Sequence, residues 1–141
     1  MVFELSRHPG ELALVQLPAH AKLPRWAYDD ECEAPFWSVA RTADELSVIC
    51  SFDAVPASVT LSGPYLAFSI DGPLDHSLIG VLAGLLEPLA ADRISVMAQS
   101  TFDTDWILVP GDKADEAGEV WRRSGHEVAA AVPAKPPRKK R

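Results

Sequence analysis

ISVMAQSTFDTDWILVP, Ile94 to Pro110, sets two β-favouring runs on either side of a short polar centre, Ser100 to Asp105. Short apolar runs that meet a cluster of Ser, Thr and Asp read as strands joined by a turn. The turn needs only one Asp, and Asp103 serves. Asp105 is left over at the start of the second strand, where it is either a surface charge or an acceptor in a ligand site.

Upstream of this hairpin, YLAFSID (Tyr65 to Asp71) is a strand ended by Gly72 and Pro73. Leu78, Val81, Leu82, Leu85 and Leu89 then recur at spacings of three and four, the stripe of an amphipathic helix. Asp75 or Ser77 would cap that helix, and Pro88 would disturb its last turn. Downstream, Gly111 and Asp112 introduce a second helix with Ala114, Ala117, Val120 and Trp121 on one face and Gly125 placed to stop it. EVAAAV, Glu127 to Val132, is a last strand. The order β-α-β-β-α-β defines an α+β fold, the ferredoxin-like sandwich in which helices cover one face of an antiparallel sheet.

The first half is less regular. ELALVQLP (Glu11 to Pro18) reads as a strand, and FWSVART (Phe36 to Thr42) with ELSVIC (Glu45 to Cys50) as a hairpin. SVTLSG after Pro56 reads as a further short strand, separate from the one that begins beyond Pro64. Thr42 to Cys50 can be laid beside Thr101 to Val109, the two sharing Thr-x-Asp and then three apolar positions. A duplication follows, its first copy degenerate because LPRWAYDD and FDAVP leave room only for short helices. The expected organisation is a degenerate N-terminal module (1–63), a C-terminal module of the same kind (64–132) and a disordered basic tail (133–141).

The net charge of -7 hides an asymmetry. Five of the 13 Lys and Arg fall in KPPRKKR at the end, leaving eight against 20 acidic residues elsewhere. Such a body repels phosphate backbones, which excludes nucleic acid as a partner of the folded part, and the tail reads as disordered. The acidic run Asp29, Asp30, Glu31 and Glu33 lacks periodicity and reads as a solvated loop. No apolar run reaches the roughly 18 residues of a membrane span, and no basic-then-apolar leader is read at the start, so no membrane partner and a cytoplasmic location are expected. Cys32 and Cys50 lack paired spacing and are expected as thiols. His8, His20, His76 and His126 form no metal-binding pair, and no phosphate-loop, dinucleotide or nucleophile-elbow motif occurs, so neither metal nor cofactor is expected.

FWSVARTADELSVIC together with the run from Leu78 to Val128, LIGVLAGLLEPLAADRISVMAQSTFDTDWILVPGDKADEAGEVWRRSGHEV, resembles the small tandem ACT proteins. Their relatives include the regulatory region of aspartate kinases and the CASTOR-type cytosolic arginine sensors. The resemblance covers about Glu11 to Val132, and STFDTD before an apolar strand is its most specific part. It implies two ACT-like modules, an amino acid bound at the seam between modules, and sensing without catalysis. It also implies ligand contacts at Leu78, Ile79, Val81, Thr101, Phe102 and Asp105. The match departs at Leu78, where arginine-binding relatives are expected to carry an acidic residue; a guanidinium would lose one charge-assisted partner there.

A free amino acid presents an ammonium and a carboxylate, so its pocket needs an acceptor and donors. Asp105 supplies the acceptor. The helix start near Ser77 to Val81 supplies unpaired N–H groups and a positive dipole end, and Gly80 admits close approach. The plainer readings are that Asp103 and Thr101 only make the turn, and that Leu78, Ile79, Val81 and Phe102 only fill a core. An interaction or assembly module with a vestigial pocket stays open as the alternative. An acid-base enzyme using Asp105 would need a companion His, Lys or buried carboxylate that the sequence does not set beside it. Free sheet edges make a homodimer a candidate association, alongside an unknown protein partner.

Overall fold

The structure, a computed structural model, describes residues 1–28 and 34–129. The acidic run with Cys32, the end of the last expected strand (130–132) and the basic tail lie outside the described residues. The chain divides into two compact units, one of residues 10–65 and one that joins residues 1–9 to those from Leu66 onward.

In the second unit the expected order appears: β5 (Leu61–Ile70, its later half), α1 (Val81–Ala91), β6 (Met97–Ser100), β7 (Asp105–Pro110), α2 (Ala114–Arg123) and β8 (Glu127–Ala129). The fold is the α+β, ferredoxin-like one. A strand unread in the sequence, β1 (Glu4–Arg7), is inserted between β5 and β8, giving the order β8-β1-β5-β7-β6. β1 pairs antiparallel with β5, Leu5 opposite Ile70, and parallel with β8, Leu5 opposite Val128. The sheet is therefore mixed where an antiparallel one was expected, and residues 1–9, counted with the first half in the sequence, fold with the second.

Strand side chains alternate between faces, so Phe68 and Ile70, like Ile107 and Val109, point to one side. There they pack with Val81, Leu85 and Leu89 of α1 and with Ala114, Ala117, Val120 and Trp121 of α2 in one core, which places both helices on the same face. Trp121 ties the layers together: its indole N–H donates to the Leu85 carbonyl at 2.8 Å, and its ring meets Phe68 edge to face at 4.9 Å. Gly125, at φ +95°, ends α2 as the spacing predicted. Its N–H donates to the Arg122 carbonyl and that of His126 to Trp121, the paired bonds of a Schellman motif.

Two local expectations are corrected. Neither Asp75 nor Ser77 caps α1: Asp75 accepts the N–H and hydroxyl of Ser77, at 2.8 and 2.6 Å, and closes its own loop instead. The helix starts at Val81 behind Gly80, a left-handed residue with φ +80°, so Leu78 falls outside the helical stripe and stays 42% exposed. Pro88 lies inside α1, in the last turn before its end at Ala91.

The first unit has β2 (Leu12–Leu17), a single 3-10 turn at Arg25–Ala27, β3 (Ser38–Arg41), β4 (Leu46–Ser51), another such turn at Phe52–Ala54 and the early half of β5, in the order β3-β4-β2-β5. Among the described residues the helices of this unit are only those two turns, where LPRWAYDD and FDAVP predicted short ones. Its own core gathers Ala13, Val15, Ala27, Leu46, Val48 and Cys50. The expected break at Pro64 is absent, because β5 is one strand from Leu61 to Ile70. Leu12 faces Tyr65 while Leu14 faces Ser62, so Gly63 and Pro64 together oppose Ala13. A bulge leaves an extra residue without a ladder bond, which is where a residue lacking N–H fits inside a strand.

Candidate ligand-binding cleft

The β6–β7 hairpin and the loop leading into α1 meet in the second unit. Ser100 and Asp105 are cross-strand partners, and residues 101–104 form the loop between them. Thr101 closes this loop with both its N–H (2.8 Å) and its hydroxyl (3.1 Å) on the Thr104 carbonyl. The loop is anchored from outside as well: Leu74 N–H donates to the Asp103 carbonyl at 2.7 Å, and the Thr104 hydroxyl to the Ile70 carbonyl. Asp103 is thus a turn residue, as the sequence suggested.

A cleft of about 440 Å³ opens between this hairpin tip and the start of α1. On one wall stand Gly80, Val81, Leu82 and Ala83. Gly80 brings no side chain to cap the helix, so the first-turn N–H groups, unpaired within any α-helix, face this region with the positive end of the helix dipole. A Cβ on Gly80 would meet nothing within 4 Å. On the other wall Asp105 is half-buried and accepts the Ser100 hydroxyl.

Of the predicted contacts, Leu78, Gly80, Val81, Thr101, Phe102 and Asp105 all line the cleft. Ile79 does not, and its side chain is 89% exposed. Of the hydrophobic residues that a core would also explain, only Val81 is buried; Phe102 is 82% exposed at the rim. Sequence reasoning missed Asp75, His76 and Ser100 as lining residues. His76 bonds through Nε2 to the Phe102 carbonyl and meets the Phe102 ring edge to face at 4.9 Å, joining the two walls. The Ser77 hydroxyl, and then its N–H, hold the Asp75 carboxyl below the usual carboxylate range. Ser100 was within reach of the sequence, since residues that flank a four-residue hairpin loop face each other across the strands. Among the described residues no three His, Cys, Asp or Glu side chains converge on a metal position, and no helix is long and apolar enough to cross a membrane.

A βαββαβ sheet with both helices on one face and a polar cleft at the first helix start is a ferredoxin-like α+β module. Residues 61–122 match the family model of the ACT domain. A second family model, of an N-terminal domain, matches residues 10–58. No curated protein matches the chain. Among solved structures, a protein from Agobacterium tumefaciens is 27% identical with a TM-score of 0.83, over 94% of this chain and 96% of that one. A Vibrio cholerae protein of unknown function, described as a possible transport protein, is 17% identical with a TM-score of 0.69, over 86% and 89%. The regulatory subunit of aspartate kinase from Thermus flavus is 12% identical with a TM-score of 0.57, over 89% and 97%, a likeness of fold.

Proposed function

We propose that the chain is a regulatory module that senses a free amino acid, binding it in the cleft of the second unit. The observation that carries this is the pairing of opposite needs in one cavity: uncapped helix N–H groups for an α-carboxylate and the half-buried Asp105 for an ammonium. The exposed Phe102 and Leu78 offer apolar surface to the ligand side chain. Binding without catalysis fits the same geometry, since His76 is engaged by the Phe102 carbonyl and the hydroxyl beside Asp105, that of Ser100, is spent on the Asp105 carboxylate. The resemblance to aspartate kinase regulatory regions and the ACT domain support regulation and a cytoplasmic setting. We also read the expected modules, 1–63 and 64–132, as two copies of one ACT-like unit with residues 1–9 transferred to the second and β5 shared, because β5-β2-β4-β3 repeats the order β8-β5-β7-β6 once β1 is set aside. Regulation then follows if the ligand favours one packing of modules, or of two chains, by its difference in affinity.

The test is a thermal-shift screen of the whole chain against the twenty amino acids, repeated with Asp105→Ala. A ligand at 100 times its dissociation constant stabilises by about 2.7 kcal/mol, a shift of several degrees. One amino acid that shifts the native chain and not the variant supports the site. If none shifts either protein, sensing is refuted and an interaction module with a vestigial pocket takes its place.

A further inference from the structure

On the other side of the Thr101–Thr104 loop lies a second, smaller cleft of about 290 Å³, at the low end for ligand pockets. His8, just past the inserted strand, lines it together with the end of β5 and the residues that follow. β1 pairs Ser6 with Ser69, and backbone bonds from Asp71 to Glu4 and from His8 to Ala67 carry the pairing just past both strands, so Ser6 and His8 share a face with Ser69 and Asp71. Diagonal hydrogen bonds fasten the four: His8 Nε2 to the Ser69 hydroxyl at 2.7 Å, and the Ser6 hydroxyl to one Asp71 oxygen at 2.7 Å. The His8 ring packs on Trp106 of β7 with centroids 4.8 Å apart. Asp103 completes the lining from the loop.

The Ser69–His8 pair has nucleophile-and-base spacing, but Ser69 is only 8% exposed with its hydroxyl held by the ring, so it presents nothing to attack a substrate. Two carboxylates are too few for a metal cage. What remains is a cavity whose charged groups are Asp71 and Asp103, beside an indole. Burial lowers the His8 pKa, an effect that nearby Asp71 partly offsets, so the imidazole is mostly neutral near pH 7 and adds little positive charge. Carboxylates together with an aromatic face select a positive charge. We propose that this second cleft binds a small organic cation, an ammonium or guanidinium group, between Asp71, Asp103 and the Trp106 ring. The proposal is independent of the amino-acid site.

The test follows the Trp106 indole N–H by NMR in the full chain during titration with methylammonium or methylguanidinium chloride, with sodium chloride as the control. A saturable shift is expected with at least one organic cation. Its affinity should fall about fivefold or more in Asp71→Asn, and in Asp103→Asn as a second variant, while Asp105→Ala leaves it unchanged. Thermal melts confirm that each variant is folded. A shift that never saturates, that sodium reproduces, or that survives both carboxylate changes overturns the proposal.

Discussion

Gly80 and Gly84 stand one helical turn apart, and a Cβ at either would meet nothing within 4 Å. Steric crowding is therefore absent from both, and only backbone conformation separates them. Gly80 sits at φ +80°, where a residue with a Cβ costs roughly 1–2 kcal/mol. Replacing it by Ala also removes freedom from the unfolded chain, which returns about 0.4–1 kcal/mol. The net expectation for Gly80→Ala is a loss of about 1 kcal/mol, near 3 °C in melting temperature for a chain of this size. Gly84 lies within α1 and is exposed, so Gly84→Ala should stabilise by about 0.5–1 kcal/mol. Gly80→Asn should lose less than Gly80→Ala, because Asn tolerates the left-handed region. Urea unfolding followed by circular dichroism measures all three. If the two Ala variants move in the same direction, or if Asn is as damaging as Ala, the reasoning from Gly80's left-handed conformation at the helix start is wrong.

Phe102, exposed at the cleft rim, should tolerate Phe102→Ser within about 0.5 kcal/mol of stability while the amino acid found by the screen binds more weakly by calorimetry; unchanged affinity would remove Phe102 from the site. Stability should also fall as pH drops through the ordinary histidine value of 6.5. Burial pushes both His8 and His126 below that value, with Asp71 partly offsetting the effect at His8 and the N-terminal ammonium adding to it at His126. Between the folded values and 6.5 the unfolded chain binds more protons, so the urea midpoint at about pH 5.5 should lie below that at about pH 7.5, and His8→Gln should narrow the gap. An identical gap in His8→Gln and the native chain would refute the His8 contribution.

The features legible in the sequence are the local ones. The hairpin around Asp103 and the Ala114–Trp121 stripe with its Gly125 stop follow from periodicity and turn chemistry, whereas the clustering of Asp105 with the helix start is what the resemblance implied. The misplaced start of α1 has a local cause too: Asp75 looks like a cap, and only the geometry shows its carboxylate taken by Ser77. Pro64 looked like a break because the bulge that accommodates it is supplied by Ala13, fifty residues away. β1 was invisible for a stronger reason. ELSR has no alternation to recommend it, and its strand character comes from partners at Phe68–Ile70 and Glu127–Ala129.

That inserted strand has a consequence for how the chain is born. Residues 10–65 have their partners close at hand and can assemble while the polypeptide is still emerging from the ribosome. β1 leaves the exit tunnel far ahead of its second neighbour, β8. β1 must wait until β8 has been made, and the second unit closes only when these two strands meet.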